Sequence, residues 1–321
     1  MKPRILMHRL RLDTFLHPLP TKGTIMKVFV TGASGFIGTA VVQELQSAGH
    51  QVLGLARSDQ SADALSAAGA EVLRGDLQDL DSLRSGASQS DAIAHLAFIH
   101  DFSKFAENAE IDRRAIEAMG SVILGTEKPL VTTSGTALFP SGHLAVETDV
   151  PASGHHPRVA SEEATAALAA QGVRASLIRL SPSVHDQGDH GFVPMLIQLA
   201  REKGTAAYVG EGNNVWPAVH RLDAARLYRL ALEKGATGAT YHGVGERGVR
   251  FRDITTVIGN RLNVPVVSLT PEEASEHFGW FAYFTSIDNP TSSEWTRQQL
   301  GWQPSQIGLL EDLDNDYYFG Q

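Results

Sequence analysis

The octet Thr31-Gly32-Ala33-Ser34-Gly35-Phe36-Ile37-Gly38 constrains this 321-residue chain more than any other segment. It follows a short β-branched run, Lys27–Thr31 (KVFVT), that reads as a buried parallel strand. It opens a segment with Ile37, Val41 and Leu45 at helical spacing, stopped by Gly49. Each glycine has a physical use. Gly32 permits a tight turn off the strand. Gly35 lets backbone amides approach a pyrophosphate, and Gly38 lets the helix lie close to the sheet. Phosphates then rest on the helix N-terminus, where free N–H groups and the dipole favour an anion. Glycine triplets alone are common, but a strand before and a helix after are the context that a dinucleotide site demands.

The alternation continues downstream. Strands are expected at 51–55, 71–73, 91–96, 130–133 and 173–180, with helices at 61–68, 105–119 and 161–170. This predicts an α/β fold of Rossmann type, a doubly wound parallel sheet with helices on both faces. Beyond Leu180 the rhythm breaks into loops rich in Gly, His and Asp, with helices expected at 193–202, 224–234, 251–262 and 292–300. That pattern reads as a smaller, partly helical C-terminal substrate lobe. The predicted organisation is a dinucleotide-binding domain over 26–182, with 212–245 returning to it. The lobe takes 183–211 and 246–313, and 314–321 forms a tail. Residues 1–25 carry five Lys or Arg against one acid and read as a flexible extension preceding Met26, organelle targeting being the lesser alternative.

Composition removes whole classes. A formal charge of −9 argues against a nucleic-acid-coating protein. The absence of cysteine excludes disulfides, thiolate metal sites and a cysteine nucleophile. No apolar run approaches the roughly 20 residues needed to span a bilayer. These features fit a cytoplasmic protein with a small-molecule substrate, no nucleic-acid partner and no membrane.

The glycine spacing, Gly-x-x-Gly-x-x-Gly, resembles that of atypical and extended short-chain dehydrogenase/reductases, the NAD(P)-dependent epimerase/dehydratase-like branch. Other pieces resemble that family's motifs in order: Gly75-Asp76-Leu77, His95-Leu96-Ala97, Thr132-Thr133-Ser134, Trp216–Ala225 and Leu300-Gly301-Trp302-Gln303-Pro304. The resemblance covers about 27–313. It implies that Gly32, Ser34, Gly35, Phe36, Ile37 and Gly38 hold the pyrophosphate, that Asp76 and Leu77 meet the adenine, and that Leu96, Ala97 and Thr132 line the cofactor. Ser181 and Pro182 belong to a loop that passes the nicotinamide in relatives. A homodimer through helices flanking the central strands is the association it allows.

Cofactor choice is legible at the end of the second strand. NAD enzymes usually place an acid there to hold the ribose 2′-OH. Here Ala56 is followed by Arg57 and Ser58, which offer donors to a 2′-phosphate, so NADP(H) is expected.

The family's Tyr-x-x-x-Lys pair is missing. None of the six tyrosines has Lys four residues later, and Arg158 and Glu162 stand at the expected places. Hydride transfer needs only cofactor and substrate held face to face. The accompanying proton is then expected from Ser134, a histidine or water. The candidate catalytic residues are therefore Ser134, His185 and Arg158, with His100 and Trp216 as candidate substrate contacts. His185, Asp186, Asp189 and His190 are spaced too loosely for a metal site, so none is expected. Asp223 reads as the N-cap of a helix ending at Gly235. The expected function is NADP(H)-dependent hydride transfer to or from a carbonyl, activated C=C or imine. The alternatives are an epimerase or dehydratase with relocated acid–base groups, and a non-catalytic NADP(H) sensor.

Overall fold

The computed structural model describes residues 24–139, 141–154 and 156–320, so all but the last two residues of the expected extension lie outside it. In chain order the elements are β1 Lys27–Thr31, α1 Phe36–Ser47, β2 Gln51–Ala56, α2 Asp59–Ala67, β3 Glu71–Arg74, α3 Leu80–Ser88 and β4 Ala92–His95. Next come α4 Phe105–Ile123, β5 Leu130–Gly135, α5 Val159–Ala170, β6 Ala175–Leu180, β7 Ser183–His185, α6 Phe192–Lys203 and β8 Ala206–Val209. Then follow β9 Val215–His220, α7 Arg221–Lys234, β10 Thr240–Gly243, β11 Glu246–Arg250, α8 Phe251–Leu262 and β12 Val266–Leu269. The chain closes with α9 Pro271–Phe278, α10 Ala282–Ser286, α11 Glu294–Leu300, α12 Leu309–Leu313 and α13 Asp316–Phe319.

Seven parallel strands form the main sheet in the order β3-β2-β1-β4-β5-β6-β10. The winding direction reverses between β1 and β4, which opens a crevice at their carboxyl ends, the usual ligand position in this architecture. Buried apolar residues cover both faces. Val28, Val30, Val41, Leu45 and Tyr228 pack on the α1/α7 side. Phe29, Leu83, Ile116, Met119 and Leu168 pack on the α3/α4/α5 side. Continuous apolar strands are what a sheet covered on both faces requires.

The lobe is richer in strand than its sequence suggests. A three-stranded sheet, β11-β9-β7, and a two-stranded parallel pair, β12-β8, enclose a third core around Trp216, Phe251, Ile254 and Phe281. Their strands are three to six residues long, too short to show an alternating pattern. The four-residue strand β10 was hidden for the same reason, and helix α3 because its nine residues hold only two leucines among three serines and a glycine. One expectation is corrected. Asp223 is not an N-cap, because the helix begins two residues earlier and the His220 side chain caps it, Nδ1 accepting from Leu222 N–H at 3.2 Å. Buried Asp223 instead accepts from the Ser305 and Gln306 amides at 3.0 Å, tying the C-terminal segment to α7.

Candidate active site

The pyrophosphate end is made of backbone. Gly32 has φ +68°, and a Cβ there would sit 2.9 Å from the Ala97 amide nitrogen. A Cβ on Gly38 would stand 1.9 Å from the Gly32 carbonyl oxygen. Turn and helix are therefore in contact without side chains, as the sequence reasoning required. The N-terminus of α1 begins after Gly35 with no side-chain cap and no acid in its first turn. Its amides are thus available to an anion. Ser34, Phe36 and Ile37 lie on this rim, exposed or half-buried. Leu96 and Ala97 follow β4 directly opposite, and the Ala97 amide donates to Thr31 Oγ1 at 3.2 Å. This cradle fits a dinucleotide pyrophosphate.

At the carboxyl ends of the next two strands, Arg57 and Ser58 follow β2 and Asp76 and Leu77 follow β3. Ser58 caps α2, accepting from the Ser61 amide. Arg57 is largely exposed, 3.9 Å from Asp76.

The reacting end is made of side chains. Arg158 holds the N-cap position of α5 without a side-chain capping bond, and four contacts fix its guanidinium, one of them to Ser161 Oγ at 3.1 Å. One nitrogen is 2.8 Å from Asp112 Oδ2, the other donates to the Thr133 carbonyl at 2.6 Å, and the group lies 4.0 Å above the Phe98 ring centroid. Asp112 projects from α4 and is 1% exposed. It also accepts from Ser161 Oγ at 2.5 Å and lies 3.0 Å from His95 Nε2. The tautomer of His95 follows from its neighbours. Ionised Asp112 can only accept, so His95 Nε2–H donates to it, and in that tautomer Nδ1 accepts from Thr31 Oγ1 at 2.7 Å while Oγ1 accepts the Ala97 amide. Burial opposes ionisation of Asp112, but the Arg158 charge and these donors hold its pKa below the usual carboxylate range. Sequence reasoning missed Asp112. The available signal was an acid on the apolar face of α4, one turn after Asn108 and in line with Ala115, Ile116 and Met119.

Ser134 occupies the adjoining strand end. Its hydroxyl is buried and has no hydrogen-bond partner within the described protein. The neighbouring hydroxyls are engaged. Thr132 Oγ1 is 2.8 Å from Thr165 Oγ1, and Thr133 Oγ1 bonds the His95 carbonyl and Tyr228 at 2.7 Å. Glu162, four residues after Arg158, grips Arg179 through both carboxylate oxygens at 2.7 and 2.9 Å. It is therefore not placed as a substitute for the missing lysine.

An aromatic wall stands over this cluster. Phe98 and His100 from the β4–α4 connection pack edge to face at 5.2 Å. Burial and then the Arg158 charge lower the His100 pKa, so its imidazole is neutral near pH 7. Phe102 stacks on Trp280 at 5.2 Å and meets Phe192 and Phe284 of the lobe at 6.2 and 6.0 Å. Phe102 thus joins the two halves of the molecule across the crevice. Trp280 is half exposed.

Two singled-out residues lie elsewhere. Trp216 is buried in the lobe core, its indole N–H donating to the Phe284 carbonyl at 3.2 Å. His185 is 1% exposed in β7, with Nδ1 2.8 Å from Asp312 and its ring edge to face with His220. Its partners belong to the junction between β7 and the C-terminal segment, where Tyr317 and Tyr318 also bond Asp312. Ser181 donates to the Gly243 carbonyl at 2.9 Å, and Pro182 leads from β6 into β7. At the junction, Asp186, His220 and Asp312 bring ligand-type atoms within 4.8 Å of one another. The helix cap decides their chemistry. His220 Nδ1 accepts the Leu222 amide, so the proton sits on Nε2 and leaves no lone pair there for a metal. Arg221 also bonds Asp186, at 2.9 Å.

A doubly wound sheet, a glycine cradle at its switch point and a polar cluster beyond it define a dinucleotide-dependent enzyme architecture. The chain belongs to the NAD dependent epimerase/dehydratase family, whose model matches residues 28–244. An uncharacterized protein of Schizosaccharomyces pombe is 52% identical over 295 residues, 92% of this chain and 100% of that protein. The 4-hydroxy-2-methyl-3-oxo-4-farnesyl-3,4-dihydroquinoline-1-oxide ketoreductase of Stigmatella aurantiaca is 25% identical over 270 residues, 79% of this chain and 80% of its own. Among solved structures, DesIV, the dTDP-glucose 4,6-dehydratase of Streptomyces venezuelae with NAD and TYD bound, superposes with a TM-score of 0.73. It is 19% identical and covers 92% of this chain and 97% of its own, a likeness of fold.

Proposed function

We propose that the protein is an NADP(H)-dependent oxidoreductase that reduces a carbonyl group on a small, largely apolar organic substrate. The observation that carries this reading is Ser134. Its hydroxyl is buried without a partner at the carboxyl end of β5, one strand beyond β4, so a substrate oxygen admitted there by a side-chain shift would meet an unused donor. The coenzyme lies on 26–182 with α7 and β10, and the substrate lies between that half and the lobe, which takes 183–211, β9 and 246–313.

When bound, the nicotinamide supplies or accepts the hydride. The chain's own residues do the rest. Ser134 Oγ–H donates to the substrate oxygen and holds it in place. Arg158, fixed by Asp112 and the Thr133 carbonyl, offsets the negative charge that develops on that oxygen. The proton that completes the alcohol reaches the oxygen through Ser134 from water, because neutral His100 has no proton to spare near pH 7. His185 serves the lobe junction. The wall of Phe98, Phe102, Phe192, Phe284 and Trp280 excludes water and receives an apolar substrate body. A ketoreductase among the relatives favours this substrate class.

The test is NADPH consumption by purified protein with a panel of apolar ketones, enones and imines, compared with the Ser134→Ala variant. Turnover on carbonyl compounds, reduced at least a hundredfold by the substitution, supports the reading. A second reading is motivated by the internal pairing of Arg158 and the missing Tyr-x-x-x-Lys. In it the protein is an NADP(H) sensor, which binds the coenzyme and turns over none of the panel.

A further inference from the structure

The β2–β3 register places a second arginine at the coenzyme's adenosine end. Ala56 pairs with Arg74 across the parallel strands, and neighbours in such a register point to the same side of the sheet. Ala56 occupies the position at which an NAD enzyme carries its ribose-binding acid. The residue beside that position is thus a cation from the next strand. Arg74 reaches back over the β2–α2 turn. One guanidinium nitrogen donates to the Ser58 carbonyl at 2.6 Å and the other to Asp59 Oδ1 at 2.6 Å. Arg57, the residue before Ser58, is mostly exposed, with its closest acid, Asp76, 3.9 Å away. The turn thus carries one arginine in its own sequence and is bonded by a second from β3.

Resting on the NADP(H) reading above, we propose that Arg74 is a 2′-phosphate ligand alongside Arg57, and that Asp59 is its placeholder. The Asp59 carboxylate is almost fully exposed and meets Arg74 in the manner a phosphate oxygen would. An exposed pair of this kind is worth little in itself, so a dianionic phosphate held by two arginines displaces it readily. The Ser58 carbonyl keeps one nitrogen in place and aims the other at the turn. Arg57 gives affinity for the phosphate from a mobile side chain, whereas Arg74 gives a pre-oriented donor. Coenzyme choice is therefore set by two strands. A carboxylate at the helix start competes with the ligand and tunes the discrimination.

The experiment is a binding titration of NADPH and NADH with the wild type and with Arg74→Gln, Arg57→Gln and Asp59→Asn, each confirmed folded by circular dichroism. Arg74→Gln is expected to weaken NADPH at least tenfold and leave NADH within twofold. Asp59→Asn is expected to tighten NADPH threefold or more, again without effect on NADH. It supplies a second readout should Arg74→Gln fail to fold. If Arg74→Gln keeps the wild-type NADPH-to-NADH ratio while Arg57→Gln loses it, the role of Arg74 is overturned and the NADP(H) reading survives. If the wild type itself prefers NADH, both fall together.

Discussion

The two ends of the crevice are built by opposite means. At the pyrophosphate end the ligand meets main chain, and side chains matter by their absence from Gly32, Gly35 and Gly38. At the reacting end the main chain only carries side chains there. Asp112 comes from α4, Ser134 from β5, Arg158 from the start of α5, His100 from the β4–α4 connection and Trp280 from between α9 and α10. A backbone site is rigid because any added atom collides with other backbone. A side-chain site is rigid only if each member is held by another, as Asp112 holds Arg158 and is itself held by His95 and Ser161. The first kind of site resists change of ligand, and the second allows one fold to serve many reactions.

The contrast predicts different responses to substitution. The largest effect belongs to Gly38→Val. Its Cβ would lie 1.9 Å from the Gly32 carbonyl oxygen, so helix and turn must separate. Loss of several kcal/mol of stability and of all coenzyme binding is expected, read by urea denaturation and an NADPH titration. Next is Asp112→Ala, which leaves the mostly buried Arg158 charge without its anion. A cost of about 3–5 kcal/mol is expected, partly recovered in the Asp112→Ala/Arg158→Met double variant. A loss below about 1 kcal/mol would mean that the cluster is not the interlocked unit its distances describe.

The two tryptophans separate packing from binding. Trp216→Ala removes a side chain from the lobe core and should cost about 3–5 kcal/mol. Half-exposed Trp280 should barely alter thermal stability when changed to Ala, but should raise KM for an apolar substrate severalfold with a smaller change in kcat.

The smallest effect concerns Asp189 in the loop before α6. Burial pushes its pKa up to about 6, only partly opposed by the Gly191 amide and the charge of His190. The folded-state pKa lies above the unfolded one near 3.9, so the native form binds the extra proton between those values. Stability contributed by this group is present below about pH 4 and lost as pH rises through about 6. Asp189→Asn keeps the acceptor for the Gly191 amide and removes the charge. A rise of a few degrees in Tm at pH 7.5 is expected, shrinking toward zero at pH 4.

The same contrast explains what could be read from the chain alone. Six of the seven strands of the main sheet are legible because they are short runs rich in apolar residues between turn signals, and the glycine site is a contiguous octet, Thr31–Gly38. The cluster at the reacting end is not contiguous. Asp112 looks like one more charge beside Arg113 and Arg114 until the helix face is drawn. Phe102 and Trp280 are 178 residues apart, and no local pattern signals their stacking. His185 looked like a loop histidine near the nicotinamide because Asp312, which fixes it, lies 127 residues away. Sequence fails where the partner of a polar group is distant. The lobe strands were lost for a related reason: pairing such as β12 with β8 is long-range, and four residues carry no period.

The most direct test of the account follows an atom instead of a rate. Wild-type protein is incubated with NADPH carrying deuterium at nicotinamide C4, in separate preparations for its two faces, and with the apolar ketones of the panel. The products are examined by mass spectrometry and NMR. The account predicts deuterium on the carbinol carbon from one of the two coenzymes, and its disappearance in Ser134→Ala. Tight NADPH binding with no deuterium in any product would contradict it and leave a binding protein in the fold of an enzyme.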